Sequence, residues 1–371
     1  MPSIRILLAT TTTSPGGGAV HVMSLARALA AREFDVGIAA PPGTPVFEWA
    51  APDGGEFAGT RYALRARGPL DPFAALRLRT ILRKNDYDVL HVHASKLVRP
   101  AAWVRRLPGG KPTVFTPHFP LMRRRRAIYR WHLARLDRFL AVSLSMHTRL
   151  QESCGVTADR VATIPHWLDT ARIDAGPRKP GAASRTTVAF GVVGSITPRK
   201  GQEEFLEAGR TLFSQGAHET RFVIAGVNKH ADKRYLKRLE RLAEKPELAG
   251  RVRFLPWQDP RRVLEQLDVV VVPSWAEAFS LAALEGLAAG LPVIATDAGG
   301  PKIIVRDGKS GLLVPPRDVD ALAEAMQRLL DSQDLRDRLG AAGASDVVNR
   351  FSEKRALDAY VAMYAALSDR V

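Results

Sequence analysis

Asp268-Val-Val-Val-Val-Pro-Ser274, then Glu277, Phe279-Ser-Leu281, Glu285-Gly286 and Gly290-Leu-Pro-Val-Ile-Ala-Thr-Asp297 decide how this chain folds. The short apolar run ending at Pro273 reads as a strand buried on both faces. A loop carrying one carboxylate, Glu277, follows it. A helix over 281–289 then carries a second, Glu285, eight residues on, and another apolar strand over 292–295 comes directly after. Glu277 lies too early to belong to the helix, whereas Glu285 sits about one turn inside it, on the same side. Paired carboxylates accept hydrogen bonds from a row of hydroxyls, which is how sugars and riboses are gripped.

Working outward, the same alternation continues on both sides. Upstream of the motif lie expected strands at 188–193, 221–225 and 252–255, and helices at 202–213 and 233–243. Downstream, amphipathic helices are expected at 319–330 and 353–367. The first half repeats the theme, with strands at 4–9, 36–40, 89–92, 113–116 and 139–142 and a helix at 19–31. Short apolar strands separated by helices predict a parallel sheet covered on both faces. Residues 174–187 are rich in Pro, Gly, Ala and Ser without periodicity, and read as a linker. The expected organisation is therefore an N-terminal domain over 1–173, the linker, a C-terminal domain over 188–350, and a last helix over 351–371 packing back toward the N-terminal domain. Two doubly wound halves would place a ligand cleft at their strand C-termini.

Composition agrees with a two-domain folded protein: 371 residues, 46% apolar and 25% charged. No apolar run approaches the ~18 residues that a membrane-spanning helix needs. The N-terminus lacks the pattern of a signal peptide, so a cytoplasmic location is expected. A single cysteine, Cys154, excludes an internal disulfide. Charge is the unusual feature, with 54 Lys and Arg against 38 Asp and Glu, a net +16. Between Arg99 and Leu150 twelve basic residues face one acid, Asp137. Such a stretch attracts polyanions: nucleic acid, an anionic membrane surface or a phosphorylated substrate. Arg123 to Arg126 would open a helix with Tyr129, Leu133, Leu136 and Leu140 as its inward stripe, its arginines either a solvated charged face or a dock on anionic lipid at the inner face of the membrane, with Ile128 or Trp131 dipping into the interface.

Several smaller motifs have plainer readings. Gly16, Gly17 and Gly18 sit where a first strand gives way to a first helix, a place for backbone N–H groups to meet an anion. They do not spell the dinucleotide fingerprint. Gly308-Lys-Ser310 fails as a P-loop because Ile303 stands where glycine is needed. Asp318-Val-Asp320 opens an amphipathic helix, so capping explains it better than a metal. His91 and His93 end a strand on one face, followed by Ser95 and Lys96. No third ligand is recognisable beside them, so acceptor hydrogen bonding or strand-end packing is expected rather than a metal.

The central motif, with Asp307-Gly-Lys-Ser-Gly-Leu-Leu-Val-Pro-Pro316 and the Gly194-Ser-Ile-Thr-Pro-Arg-Lys-Gly201 turn, resembles the retaining glycosyltransferases of family four. The early glycine loop, His91, His93, Thr116-Pro-His118, Ala141-Val-Ser143 and Ile164-Pro165 through Asp169 fall in the family's order. The resemblance implies the GT-B fold, two Rossmann-like domains facing a central cleft. It implies catalytic roles for Glu277, His118 and Lys200: donor-sugar hydroxyls held by Glu277, His118 facing that sugar, and Lys200 neutralising the departing diphosphate. Glu285 would hold the ribose. Gly16 to Gly18, Ser195, Arg199, Lys200, Phe279, Ser280 and Leu281 complete the implied donor site, and His91, His93, Ser95 and Lys96 an acceptor side. Neither cofactor nor metal is implied.

The chain departs from the pattern at several places. Ser195 stands where arginine is usual, with Arg199 to supply the charge. His166-Trp167 replaces Asn-Gly, Lys302 to Ile304 lack the usual glutamate, and Ala278 and Ser280 stand where glycines are common. The expected function is sugar transfer from a UDP- or GDP-sugar to a cell-envelope glycan, such as lipopolysaccharide, or to a lipid-linked acceptor. A basic, nonenzymatic nucleic-acid-binding protein would also explain the charge, but no recognition helix or aromatic strand accompanies it, so no nucleic acid is expected. A nucleotide-sugar-binding module with a degraded site is the remaining alternative.

Overall fold

A computed structural model describes residues 4–51, 57, 59–118, 127–169, 173, 187–217, 219–227 and 232–368. It divides into two compact units, Met1–His166 with Glu353–Val371, and Trp167–Ser352. Most of the expected linker, 174–186, lies outside the described residues.

The first unit is built on seven strands: β1 (Arg5–Ala9), β2 (Asp35–Ala40), β3 (Thr60–Ala63), β4 (Val89–Val92), β5 (Thr113–Phe115), β6 (Arg138–Ala141) and β7 (Val161–Thr163). They pair in the order β3-β2-β1-β4-β5-β6-β7, every neighbour parallel. The second holds β8 (Val188–Val193), β9 (Thr220–Val227), β10 (Val252–Pro256), β11 (Val269–Val272), β12 (Val293–Thr296) and β13 (Gly311–Val314). Their order is β10-β9-β8-β11-β12-β13, again parallel throughout. Both are doubly wound sheets whose strand order reverses beside the first strand, between β1 and β4 and between β8 and β11. Ligands bind such folds at the carboxyl ends of those two strands.

The sequence dictates this. The four valines of β11 are all buried, as a strand covered on both faces requires. In the second unit Phe190, Phe205 and Phe222 are fully buried, the last two edge to face at 5.6 Å. In the first, the Glu353–Ser368 helix inserts Tyr360 and Tyr364, both wholly buried.

One expectation is corrected. The helix described near the arginine run is Ala127–Leu133, and Leu140 belongs to β6. Its stripe residues Tyr129, Leu133, Leu136 and Leu140 are indeed buried, but a strand buried on both faces contributes apolar residues at any spacing. Arg123 to Arg126 lie outside the described residues. Trp131 is half exposed, with the Arg135 guanidinium stacked 3.0 Å from its ring centroid. No helix among the described residues is long and apolar enough to cross a membrane.

Candidate active site

Two turns meet at the strand reversal of the second sheet. β8 runs into Gly194 and Ser195, then a single 3-10 turn over Pro198–Lys200, then Gly201 and the Gln202–Ser214 helix. The buried Gln202 side chain fastens the turn by donating to the Ser195 carbonyl at 2.9 Å. β11 runs into the loop that carries Glu277, then the Leu281–Ala288 helix, capped by Ser280 accepting from the Ala283 N–H at 3.3 Å. The turns are laced together: the Trp275 N–H donates to the Arg199 carbonyl at 2.9 Å, and Arg199 Nη1 to the Ala276 carbonyl at 3.0 Å. The Glu277 carbonyl accepts from the Gly300 N–H at 2.9 Å.

This lacing brings Lys200 and Glu277 into a direct ion pair, Nζ against Oε1. The second Glu277 oxygen, Oε2, is buried with no partner among the described residues. A buried carboxylate oxygen without a donor is costly and is where a ligand hydroxyl would be welcome. Burial lowers the pKa of the Lys200 ammonium to about 7, and Arg199 adds to the shift. Glu285 is buried on the Leu281–Ala288 helix. Phe279 packs edge-on against Phe351 at 5.6 Å, and Leu281 is partly buried. The carboxylate pair and the lysine were expected; their contact was not, and only the close approach of the two turns creates it.

Gly201 makes that approach possible. Its φ is +70°, and a Cβ there would lie 2.1 Å from the Pro273 carbonyl oxygen. Gly201→Ala is expected to cost about 2–4 kcal/mol, left-handed strain plus a backbone clash. Gly216→Ala, with φ +96° and open space around it, bears the strain alone and should cost about 1–2 kcal/mol. Equal losses for the two in urea unfolding would show that the turns are not in tight contact.

In the first unit the strand reversal gathers histidines. The Gly17–Ala30 helix begins just beyond Gly16 and carries His21, and Gly18 is so close to His118 that a Cβ would stand 3.3 Å from the ring. His93 Nδ1 and His118 Nε2 are 3.2 Å apart. The His21 ring lies 5.5 Å from His93, 5.0 Å from His118 and 4.3 Å from His166, centroid to centroid. His118 and His166 are stacked at 5.9 Å. Burial lowers the pKa of all of these, His118 to about 4.

The pairing expected of His91 and His93 divides. His91 spends both ring nitrogens at 2.7 Å, Nδ1 with the Tyr364 hydroxyl and Nε2 with that of Thr116. It is wholly buried, and burial, then His118, lowers its pKa to about 3. Its expected acceptor role gives way to strand-end packing. Ser95 is partly buried and Lys96 exposed, in a 3-10 turn beyond β4. The absence of a third imidazole beside His93 is also corrected: His21 and His118 supply two, from sequence positions far from β4. Asp318 caps its helix as expected, accepting from the Ala321 N–H at 2.9 Å.

Two adjoining family models match the chain, Glycosyltransferase Family 4 over residues 15–172 and Glycosyl transferases group 1 over residues 178–346. A D-inositol 3-phosphate glycosyltransferase of Geodermatophilus obscurus is 31% identical, over 80% of this chain and 70% of that one. The chain belongs to the family 4 glycosyltransferases. A second relative of that name, from Nocardia farcinica, is also 31% identical, and this family 4 chain spans 65% of its length. Among solved structures, Anabaena HepE in complex with UDP-glucose superposes with a TM-score of 0.83 at 18% identity, covering 98% of this chain and all of that one. At that identity the likeness concerns the fold, GT-B, with its two Rossmann-like sheets.

Proposed function

We propose that this chain transfers a sugar, with retained anomeric configuration, from a UDP- or GDP-sugar to a phosphate-bearing glycan or lipid-linked acceptor of the cell envelope. The observation that carries the proposal is the Lys200–Glu277 pair at the strand reversal of the second sheet. Lys200, with Arg199, meets the charge that grows on the departing diphosphate, while the unpartnered Glu277 oxygen accepts from donor-sugar hydroxyls. Glu285 holds the ribose. Ser195, Phe279, Ser280 and Leu281 line the donor. His118 serves the reacting sugar, and His93, Ser95 and Lys96 serve the acceptor. The second unit is the donor domain and the first the acceptor domain.

Relatives named for inositol 3-phosphate support an acceptor with a phosphate near its hydroxyl. The net charge of +16 favours such an anion, and also peripheral docking on anionic lipid at the inner face of the membrane. Catalysis is by positioning and charge stabilisation, with the protein's own cations meeting the diphosphate.

A turnover assay over a panel of nucleotide sugars and phosphorylated polyols tests the reading, and hydrolysis or transfer from none of the donors would reject it. Product should still form in EDTA; loss restored by magnesium or manganese would mean a metal carries the diphosphate. Co-sedimentation with anionic but not neutral vesicles checks the docking, and equal pelleting with both would dismiss it.

A further inference from the structure

We infer that His21, His93 and His118 form a binding site for a transition-metal cation, zinc being the ion this donor set fits best. One ring nitrogen from each lies within 4.8 Å of those of the other two. His93 and His118 already approach to 3.2 Å. A tetrahedral zinc with bonds of about 2.0–2.1 Å places its nitrogens about 3.3 Å apart, so His21 needs only to close in.

The three ligands stand on separate elements that the sheet holds together: His21 on the helix after β1, His93 directly after β4, and His118 beyond β5. The Tyr360 hydroxyl lies 3.2 Å from His21 Nε2. Such a partner fixes the ring, as outer-shell groups do around metal-binding histidines. His91 is outside the set because both its nitrogens are engaged; its ring packs 4.1 Å from that of His93 and braces it.

Packing alone does not account for the group. A histidine kept for packing finds partners, as His91 does. His93 and His118 instead turn Nδ1 and Nε2 toward each other at 3.2 Å, the two nitrogens that would share the metal, and their remaining nitrogens, His93 Nε2 and His118 Nδ1, are buried with no partner among the described residues. A donor set of imidazoles alone suits zinc, copper or nickel and disfavours magnesium and calcium, which take oxygen. Three protein ligands leave a fourth position open to water or to a ligand oxygen.

The test uses the full chain without a histidine tag. It is loaded with zinc, freed of excess by gel filtration, and assayed for metal per chain, with affinity from a competing chelator. The expected result is one zinc per chain, no retained magnesium, and a four-coordinate spectrum when cobalt is substituted. His21→Gln, His93→Gln and His118→Gln should each weaken zinc by at least the ~10–100-fold that loss of an outer-shell partner costs, whereas His147→Gln, on the surface, should not. Should His21→Gln fail to fold, the other two variants decide. No retained zinc, equal retention of magnesium, or unchanged affinity in both His93→Gln and His118→Gln would overturn the site. Zinc should also slow transfer, reversibly with EDTA, by occupying His118; that consequence rests on the proposed role of His118, and the binding measurement does not.

Discussion

Lys200→Met and Glu277→Gln are each expected to lower turnover by roughly a hundredfold or more with donor bound, since one well-aimed transition-state contact is worth about 3 kcal/mol. The two side chains are in contact, so stability changes too. Removing one partner strands the other in a buried setting, which costs about 3–5 kcal/mol. The double variant, Lys200→Met with Glu277→Gln, leaves no stranded charge and should recover at least half of that stability. Its turnover should stay as low as that of the worse single variant, because both groups serve one transition state. Urea unfolding and single-turnover kinetics on the four proteins separate the two effects. Near-normal turnover in either single variant would remove that residue from the donor site. Strictly additive stability losses would mean the pair is not an interaction in solution.

The sequence made the architecture legible because its inner strands are buried on both faces. The β11 valines and the apolar residues of β1 and β12 cannot be read as anything but interior. The two edge strands of the first sheet escape the same reading. β3, Thr60–Ala63, shows both end residues exposed and its middle only half covered, and β7 buries a single residue. Neither carries a hydrophobic signal above that of a loop. Glu277 stood out by its loop between a strand and a helix, and Lys200 by the family resemblance of the Gly194-to-Gly201 turn that carries it. That they touch depends on a β8-to-β11 neighbourhood that skips two intervening strands, which no local pattern encodes. The histidine cluster was hidden for a related reason. His21 sits within the buried face of a mostly apolar helix, and His166 registers in sequence only as a departure from the family's Asn-Gly. A parallel sheet assembles its ligand end from loops separated by whole helices, so clusters there are visible only once strand order is known.

Acid should loosen the first unit while sparing the second. His21, His91, His93 and His166 are at most 7% exposed, and burial holds the pKa of each below its ordinary value, with neighbouring imidazoles adding to the effect. In the unfolded chain the same groups titrate near pH 6.5. At pH 5 the unfolded state therefore binds protons that the folded state refuses, and stability rises with pH across that window. Each imidazole that stays neutral at pH 5 costs about 2 kcal/mol there, from 1.36 kcal/mol per pH unit below 6.5. Four such groups cost on the order of 8 kcal/mol, comparable with the whole 5–15 kcal/mol that keeps a domain folded. No described histidine lies in the second unit; among its described residues the buried group whose pKa is lowered into this window is Lys200, one group against four. Native-state hydrogen exchange at pH 8 and pH 5, corrected for intrinsic rates and run in EDTA to exclude bound metal, reads the two sheets separately. Protection of the β4 and β5 amides should collapse at pH 5 while that of β11 changes little. His166→Leu should recover about 2 kcal/mol of the loss, having removed one refused proton. A fall in β4 protection smaller than about 2 kcal/mol, or an equal fall in β11, would mean that the imidazoles are reached by water and titrate in place.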